Sequence, residues 1–292
     1  MAHAWNPDFI EPDIVLSKDS VPVILHDIHL EETTNVEELF PERKRADGRW
    51  YALDLTHDEI RKLAVHERAK VNGGETYFKS RFPSGNTPLR VPTLREFIQL
   101  VQGLNQSTGR SVGIYPEIKD PAFHQREGKD IVKAVMNDLK GAGYLELPQQ
   151  LILQCFESEP LRRIRAEFGK KIRLVQLIGE NSWGMNNGED YDLMRTVEGM
   201  KKVAQYANGI GAPLDRLLGK DGSPLALVKD AKAQKLLIHA YTLRFDQLPS
   251  GLTGAQAFNQ IAMLLQKVGV DGVFTDHADR LIETFRLTLS GK

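Results

Sequence analysis

Two pairs of charged residues in this chain are spaced two positions apart, which puts both side chains of a pair on one face of a strand. The first pair is Glu11 and Asp13, flanking Pro12 in an otherwise apolar run. Two carboxylates on one strand face are costly to bury unless a cation or good hydrogen bonds offset them. Hard divalent cations such as calcium or magnesium take oxygen ligands of this kind. A solvated strand end would accommodate the pair equally well, and the spacing leaves both readings open. The second pair is Glu117 and Lys119, in Tyr115-Pro116-Glu117-Ile118-Lys119. An acid beside an ammonium suits an anionic substrate held through a metal, with the acid on the cation and the lysine on a phosphoryl oxygen. A plain ion pair is the alternative. His26 closes a third apolar run and is followed by Asp27. Taken alone, a strand-end histidine is more often a structural hydrogen-bonding residue than a catalytic one. His124, Gln154 and Tyr241 are weaker candidates for contacting a ligand, with Asp276 behind them. His239 lies between apolar residues and reads as a core histidine, and Cys155 reads as packing.

The elements that must position these residues alternate along most of the chain. Apolar, β-branched runs at 9–16, 21–26, 112–119, 151–156, 173–178, 209–212, 236–243 and 272–275 predict strands. Three-to-four spacing predicts helices at 94–104, 131–139, 161–168, 194–206, 225–234 and 258–268, and a last one at 279–289. Alternation of this kind implies a parallel sheet covered on both faces. Its Glu117 and Lys119 then stand at the carboxyl end of a strand, where (β/α)8 barrels carry their chemistry. Only four residues, 17–20, link the first two runs, so those two form a hairpin and one of them leaves the parallel set. About seven parallel strands remain, where a closed barrel uses about eight. The shortfall is expected at the front, before the strand that carries Glu11. Residues 28–92 show little strand signal apart from a capping-box helix at 56–63, and read as an insertion in a single domain spanning 1–292. Such long inserted loops commonly shape access to a barrel mouth.

Bulk properties narrow the function classes. The 292 residues are 41% hydrophobic and 26% charged, ordinary for a globular chain of one domain. A formal net charge of -1 gives no footprint for nucleic acid or an anionic membrane. No apolar run is long enough for a membrane span. The single cysteine excludes an intrachain disulfide and does not indicate a redox compartment.

The motifs, taken in order, resemble one family. Glu11-Pro12-Asp13-Ile14-Val15-Leu16-Ser17-Lys18-Asp19, then Val21-Pro22-Val23 and His26-Asp27, look like the signature of glycerophosphodiester phosphodiesterases. Pro116-Glu117-Ile118-Lys119 and the closing Asp271-Gly272-Val273-Phe274-Thr275-Asp276 match it too. Phe40-Pro41, Asp47-Gly48-Arg49, Phe123-His124, Leu153-Gln154-Cys155-Phe156 and Val175-Gln176-Leu177-Ile178 resemble the bacterial periplasmic branch. The resemblance implies a TIM (β/α)8 barrel of the phosphatidylinositol-phosphodiesterase-like type, lacking its first strand and most of its first helix. It implies one calcium or magnesium ion on Glu11, Asp13 and Glu117, His26 as one of two acid/base histidines, and Lys119 on the phosphate. The implied substrate is a small glycerophosphodiester, split into sn-glycerol 3-phosphate and an alcohol, in glycerol and lipid metabolism. A homodimer is one assembly compatible with the family.

The sequence departs from the family at one point. The family's first strand ends in His-Arg-Gly, which supplies the other histidine and an arginine for phosphate, and this sequence contains no His-Arg-Gly. His3 precedes the Glu11 strand and is no substitute. Two expectations follow: a first strand encoded ahead of Met1, or a relative that binds ligand with impaired turnover. Localisation forks in the same way, periplasmic by resemblance, or cytoplasmic if Met1 is the true start.

Overall fold

A computed structural model describes the chain except residues 71–73, 82–86, 186, 250–251 and 290–292. Among the described residues are ten strands. They are β1 (Phe9–Ile10), β2 (Asp13–Leu16), β3 (Pro22–Ile24), β4 (Gly113–Ile114), β5 (Glu117–Ile118), β6 (Ile152–Cys155), β7 (Arg173–Leu177), β8 (Gly209–Pro213), β9 (Leu237–Tyr241) and β10 (Gly272–Val273). Two of the expected strands are each divided at a proline. Pro12 ends the pairing of β1 before β2 begins, and Pro116 lies between β4 and β5. Proline has no N–H to give to a ladder and fixes its own φ, so each run breaks there. Counting each divided run once, the described residues hold seven parallel strands, as the sequence pattern predicts. Contacts divide the chain into two units, one of Glu11–Gly109 and Pro116–Leu147, the other of Met1–Ile10, Arg110–Tyr115 and Pro148–Lys292.

In the first unit β2 is the middle strand of three. It pairs in parallel with β5, Asp13 opposite Glu117, and antiparallel with β3, Ile14 opposite Ile24. The β2–β3 link is the predicted hairpin: the Ser17 hydroxyl accepts from Val21 N at 3.0 Å and donates to Asp19 at 2.6 Å. Among the described residues of 28–92 there is no strand pairing beyond isolated bridges, yet the segment supplies much of a buried core. Leu30, Val36, Trp50, Leu55, Ile60 and Leu63 are buried against Val15, Val23 and Leu25. The predicted capping box is present: Thr56 caps the short helix His57–Ile60, and the Glu59 carboxylate returns to Thr56 N at 2.8 Å. A second capping box, Thr93 with Glu96, starts the helix Leu94–Thr108. It buries Leu94, Ile98 and Val101, the three-to-four spacing of one helical face. Asp130 caps the helix Ile131–Gly141, which buries Ile131, Val135 and Leu139 in the same manner.

The second unit contains β1 paired in parallel with β4, and β6 to β10 in parallel succession. Helices Ser158–Phe168, Val197–Val203, Ala226–Ala233, Gly254–Val268 and Ala278–Leu289 alternate with those strands. The helix expected at 194–206 is two, Tyr191–Met194 and Val197–Val203. Thr196 restarts the chain by capping Gly199 N, and Gly199 packs so close to the Met194 carbonyl that a Cβ would lie 2.3 Å from it. Among the strands, Tyr115, Ile152 and Val175 form a buried cluster with Phe9 and Phe274 against it. His239 is the core histidine the sequence predicts: its Nδ1 and the Tyr115 hydroxyl share a hydrogen bond of 2.8 Å. Gly272 lies opposite it, and a Cβ there would meet the imidazole at 3.0 Å.

Burial pushes the His239 imidazole down to about 4, so the folded chain keeps it neutral where an unfolded chain would protonate it. Its contribution is complete above the unfolded value of about 6.5 and is lost as pH falls toward 4, for a total of about 3 kcal/mol. Urea titrations of the wild-type and His239→Gln proteins at pH 7 and pH 4 measure this. The stability gap between them narrows by about that amount at the lower pH; a gap that does not change with pH would contradict the assignment.

Candidate active site

Four of the five principal candidates converge on the β2–β5 register, inside the first unit. Because Asp13 stands opposite Glu117, their side chains emerge side by side. Glu11, two positions before Asp13, adds a third carboxylate, and one ligand oxygen from each lies within 4.8 Å of the others. Lys119, two positions beyond Glu117, reaches back to the same place. Its Nζ lies 2.8 Å from Glu117 Oε1 and 3.6 Å from Asp13 Oδ1. Glu117 and Lys119 are both buried. Backbone bonds fix the register on both sides of the cluster: Glu117 N donates to Pro12 O, Lys119 N to Ile14 O, and Leu25 N to Asp13 O.

The electrostatics show an excess of anion. Burial raises the Glu117 carboxyl, and the neighbouring Asp13 raises it further; Lys119 only partly offsets this, and it stands at about 7. Burial also works against the Lys119 ammonium, but Glu117 and Asp13 outweigh it and hold it above the ordinary lysine value. Lys119 therefore stays charged. Three carboxylates around one ammonium still leave a net negative pocket, and an all-oxygen donor set of this size suits calcium or magnesium.

His26 follows Leu25 at the end of β3 and acts on Glu117 electrostatically. Its ring is well exposed, and Asp27 Oδ1 holds Nδ1 at 2.7 Å. An ionised carboxylate only accepts, so Nδ1 donates and Nε2 is left for other chemistry.

The weaker candidates fare differently. His124 does not present itself to a ligand. It is buried, its Nε2 accepts from Leu16 N at 3.1 Å, and its Nδ1 bonds Asp120 O at 2.9 Å. Both ring nitrogens are committed to backbone groups, so the expected substrate contact is corrected to a structural one. Burial pushes its pKa down, in keeping with a neutral ring. Gln154 and Tyr241 belong to the second unit. Gln154 is buried in β6, and the Tyr241 hydroxyl donates to Ile178 O at 2.7 Å. The sequence offered no signal for Arg68, which bonds Asp27 at 2.5 Å from 41 positions away along the chain.

Comparison with known proteins shows the family. A family model described as the Glycerophosphoryl diester phosphodiesterase family matches residues 1–280. The chain belongs to this family. The glycerophosphodiester phosphodiesterase of Haemophilus influenzae is 36% identical over 97% of this chain and 83% of its own length. That of Treponema pallidum is 31% identical over 96% of this chain and 84% of its own. Among solved structures, an Oleispira antarctica phosphodiesterase in complex with the product sn-glycerol-3-phosphate superimposes with a TM-score of 0.64. It is 17% identical and covers 97% of this chain and 87% of its own. The fold is the barrel-type α/β fold of this family, as the alternation of strands and helices leads one to expect. Among the described residues, no helix is long and apolar enough to cross a membrane.

If the three carboxylates hold a cation, calcium should stabilise the protein by about 2.7 kcal/mol at a hundredfold excess over its Kd. Thermal melts with calcium and with chelator test this. Glu117→Ala removes one ligand and should abolish the shift; an undiminished shift in the variant would exclude Glu117 as a ligand.

Proposed function

We propose that this glycerophosphodiester phosphodiesterase is metal-dependent and releases sn-glycerol 3-phosphate and an alcohol from small glycerophosphodiesters. The observation that carries the reading is the convergence of Glu11, Asp13 and Glu117 on one point with Lys119 in contact. The Oleispira antarctica relative, which carries sn-glycerol-3-phosphate as product, supports the choice of substrate class. A calcium or magnesium ion on the three carboxylates would supply Lewis-acid polarisation of the phosphoryl oxygens.

The chain's own groups account for the rest. Lys119 stays cationic and faces the phosphate as a fixed positive charge. Cleavage makes a bond from phosphorus to an incoming oxygen, of water or of the neighbouring glycerol hydroxyl, and breaks the bond to the alcohol oxygen. The incoming oxygen gives up a proton and the departing one takes a proton. His26, held at Nδ1 by Asp27, has Nε2 for one of these transfers. The family resemblance assigns the other transfer to a histidine in His-Arg-Gly, which this sequence does not contain. A second reading is a chain that binds cation and diester with turnover lowered by about 10²–10⁴-fold. The same resemblance supports the periplasm as the compartment, which cell fractionation would test.

A coupled assay for glycerol 3-phosphate released from glycerophosphocholine, with and without chelator, separates the readings. Turnover that chelator abolishes, and that His26→Ala lowers by about 10²–10⁴-fold, is the expected result. Calcium stabilisation without turnover would establish the second reading. Turnover indifferent to chelator would overturn the metal-dependent one.

A further inference from the structure

From the segment 28–92, Arg68 reaches the pair formed by His26 and Asp27. Asp27 divides its carboxylate oxygens: Oδ1 lies 2.7 Å from His26 Nδ1, and Oδ2 lies 2.5 Å from Arg68 Nη1. Arg68 is held from behind, with Nη1 2.6 Å from Glu32 Oε2. Glu32 in turn lies 3.5 Å from Arg49 Nη2, and Arg49 bonds the buried carboxylate of Glu31. The backbone at Arg68 is fixed as well: Tyr77 N donates to Arg68 O and Ala69 N donates to Glu32 O, each at 2.9 Å. The result is a row of alternating charges that begins at an exposed imidazole and ends in the core of the segment.

We infer that Arg68 is a positioning residue for His26: by clamping Asp27, it fixes the imidazole in the tautomer that leaves Nε2 unprotonated toward substrate. The inference rests on the phosphodiesterase reading above, in which His26 transfers a proton. The physical need is clear. The His26 side chain is 60% exposed, so packing does not fix the ring. Its orientation depends on Asp27, and an aspartate with one oxygen unheld can turn about its own side-chain bonds. Arg68 removes that freedom. Its second amino group, Nη2, lies 3.5 Å from His26 Nδ1, too far to compete with the carboxylate for that nitrogen. Burial of Asp27 disfavours its charge, but the His26 hydrogen bond and the Arg68 charge win and keep the carboxyl well below its usual range. Asp27 thus stays ionised and acts only as an acceptor. The segment therefore takes part in the catalytic arrangement, in addition to any influence it has on access to the site.

The test is the nitrogen spectrum of the His26 ring in the full chain, together with the glycerol 3-phosphate assay. In the wild-type protein at pH above the histidine range, Nδ1 carries the proton and Nε2 does not. Arg68→Met should bring in the Nε2-protonated form and lower kcat by about 10-fold, the smaller end of what outer-shell partners contribute. KM and calcium stabilisation should hold within about twofold. Arg68→Lys keeps the charge without the fork and should fall between the two. Arg61→Gln breaks an exposed pair with Glu96 in the same region of the chain, and should leave the spectrum unchanged. An Arg68→Met spectrum identical to wild type overturns the positioning role whatever the assay shows. A changed spectrum in a protein with no turnover in any form sustains the positioning role and removes the enzymatic reading on which its catalytic meaning rests.

Discussion

Three carboxylates repel one another, and everything about this site depends on what forces them together. The force is backbone register. Asp13 and Glu117 face each other because β2 and β5 pair in parallel; Glu11, just ahead of β2, and Lys119, just after β5, reach the same point from the chain flanking those strands. The strands are held by buried apolar residues, Ile14, Val15, Leu16 and Ile118, none of which takes part in chemistry. Folding energy from the core thus holds together an arrangement that a bound cation would relieve. Burial first, and the Asp13 charge after it, raise the Glu117 carboxyl.

The division of labour around His26 is different. The carboxylates are placed in and beside paired strands, whereas the imidazole is placed by a chain of ion pairs from a segment whose described residues form only short helices and isolated bridges. Such a segment can still be well packed where it counts. Residues 28–92 have their own buried cluster around Trp50 and Leu55, and Trp50 anchors itself by donating Nε1–H to Phe40 O at 2.8 Å. A strand end alone could not hold an exposed ring in one tautomer.

Much of this was legible in the residues. The alternation of strands and helices, the hairpin after Leu16 and the capping box at Thr56 follow from local rules, and local rules suffice for local structure. The Glu11–Asp13 and Glu117–Lys119 pairs were legible because strand geometry ties spacing to direction. Three features were not. The role of His124 depends on a bond to Leu16, 108 positions away, and no periodicity encodes it. The break at Thr196 depends on how closely Gly199 can approach a carbonyl, which a helical pattern at 194–206 does not reveal. Arg68 looks like any surface arginine until the chain brings it to Asp27.

The most direct test of the central claim is anomalous diffraction from crystals of this protein grown or soaked with calcium or manganese. One peak is expected among Glu11, Asp13 and Glu117, with oxygen distances of about 2.3–2.6 Å for calcium. A strong peak elsewhere, or a cluster that stays empty at saturating cation with its carboxylates still paired to Lys119, would contradict the account.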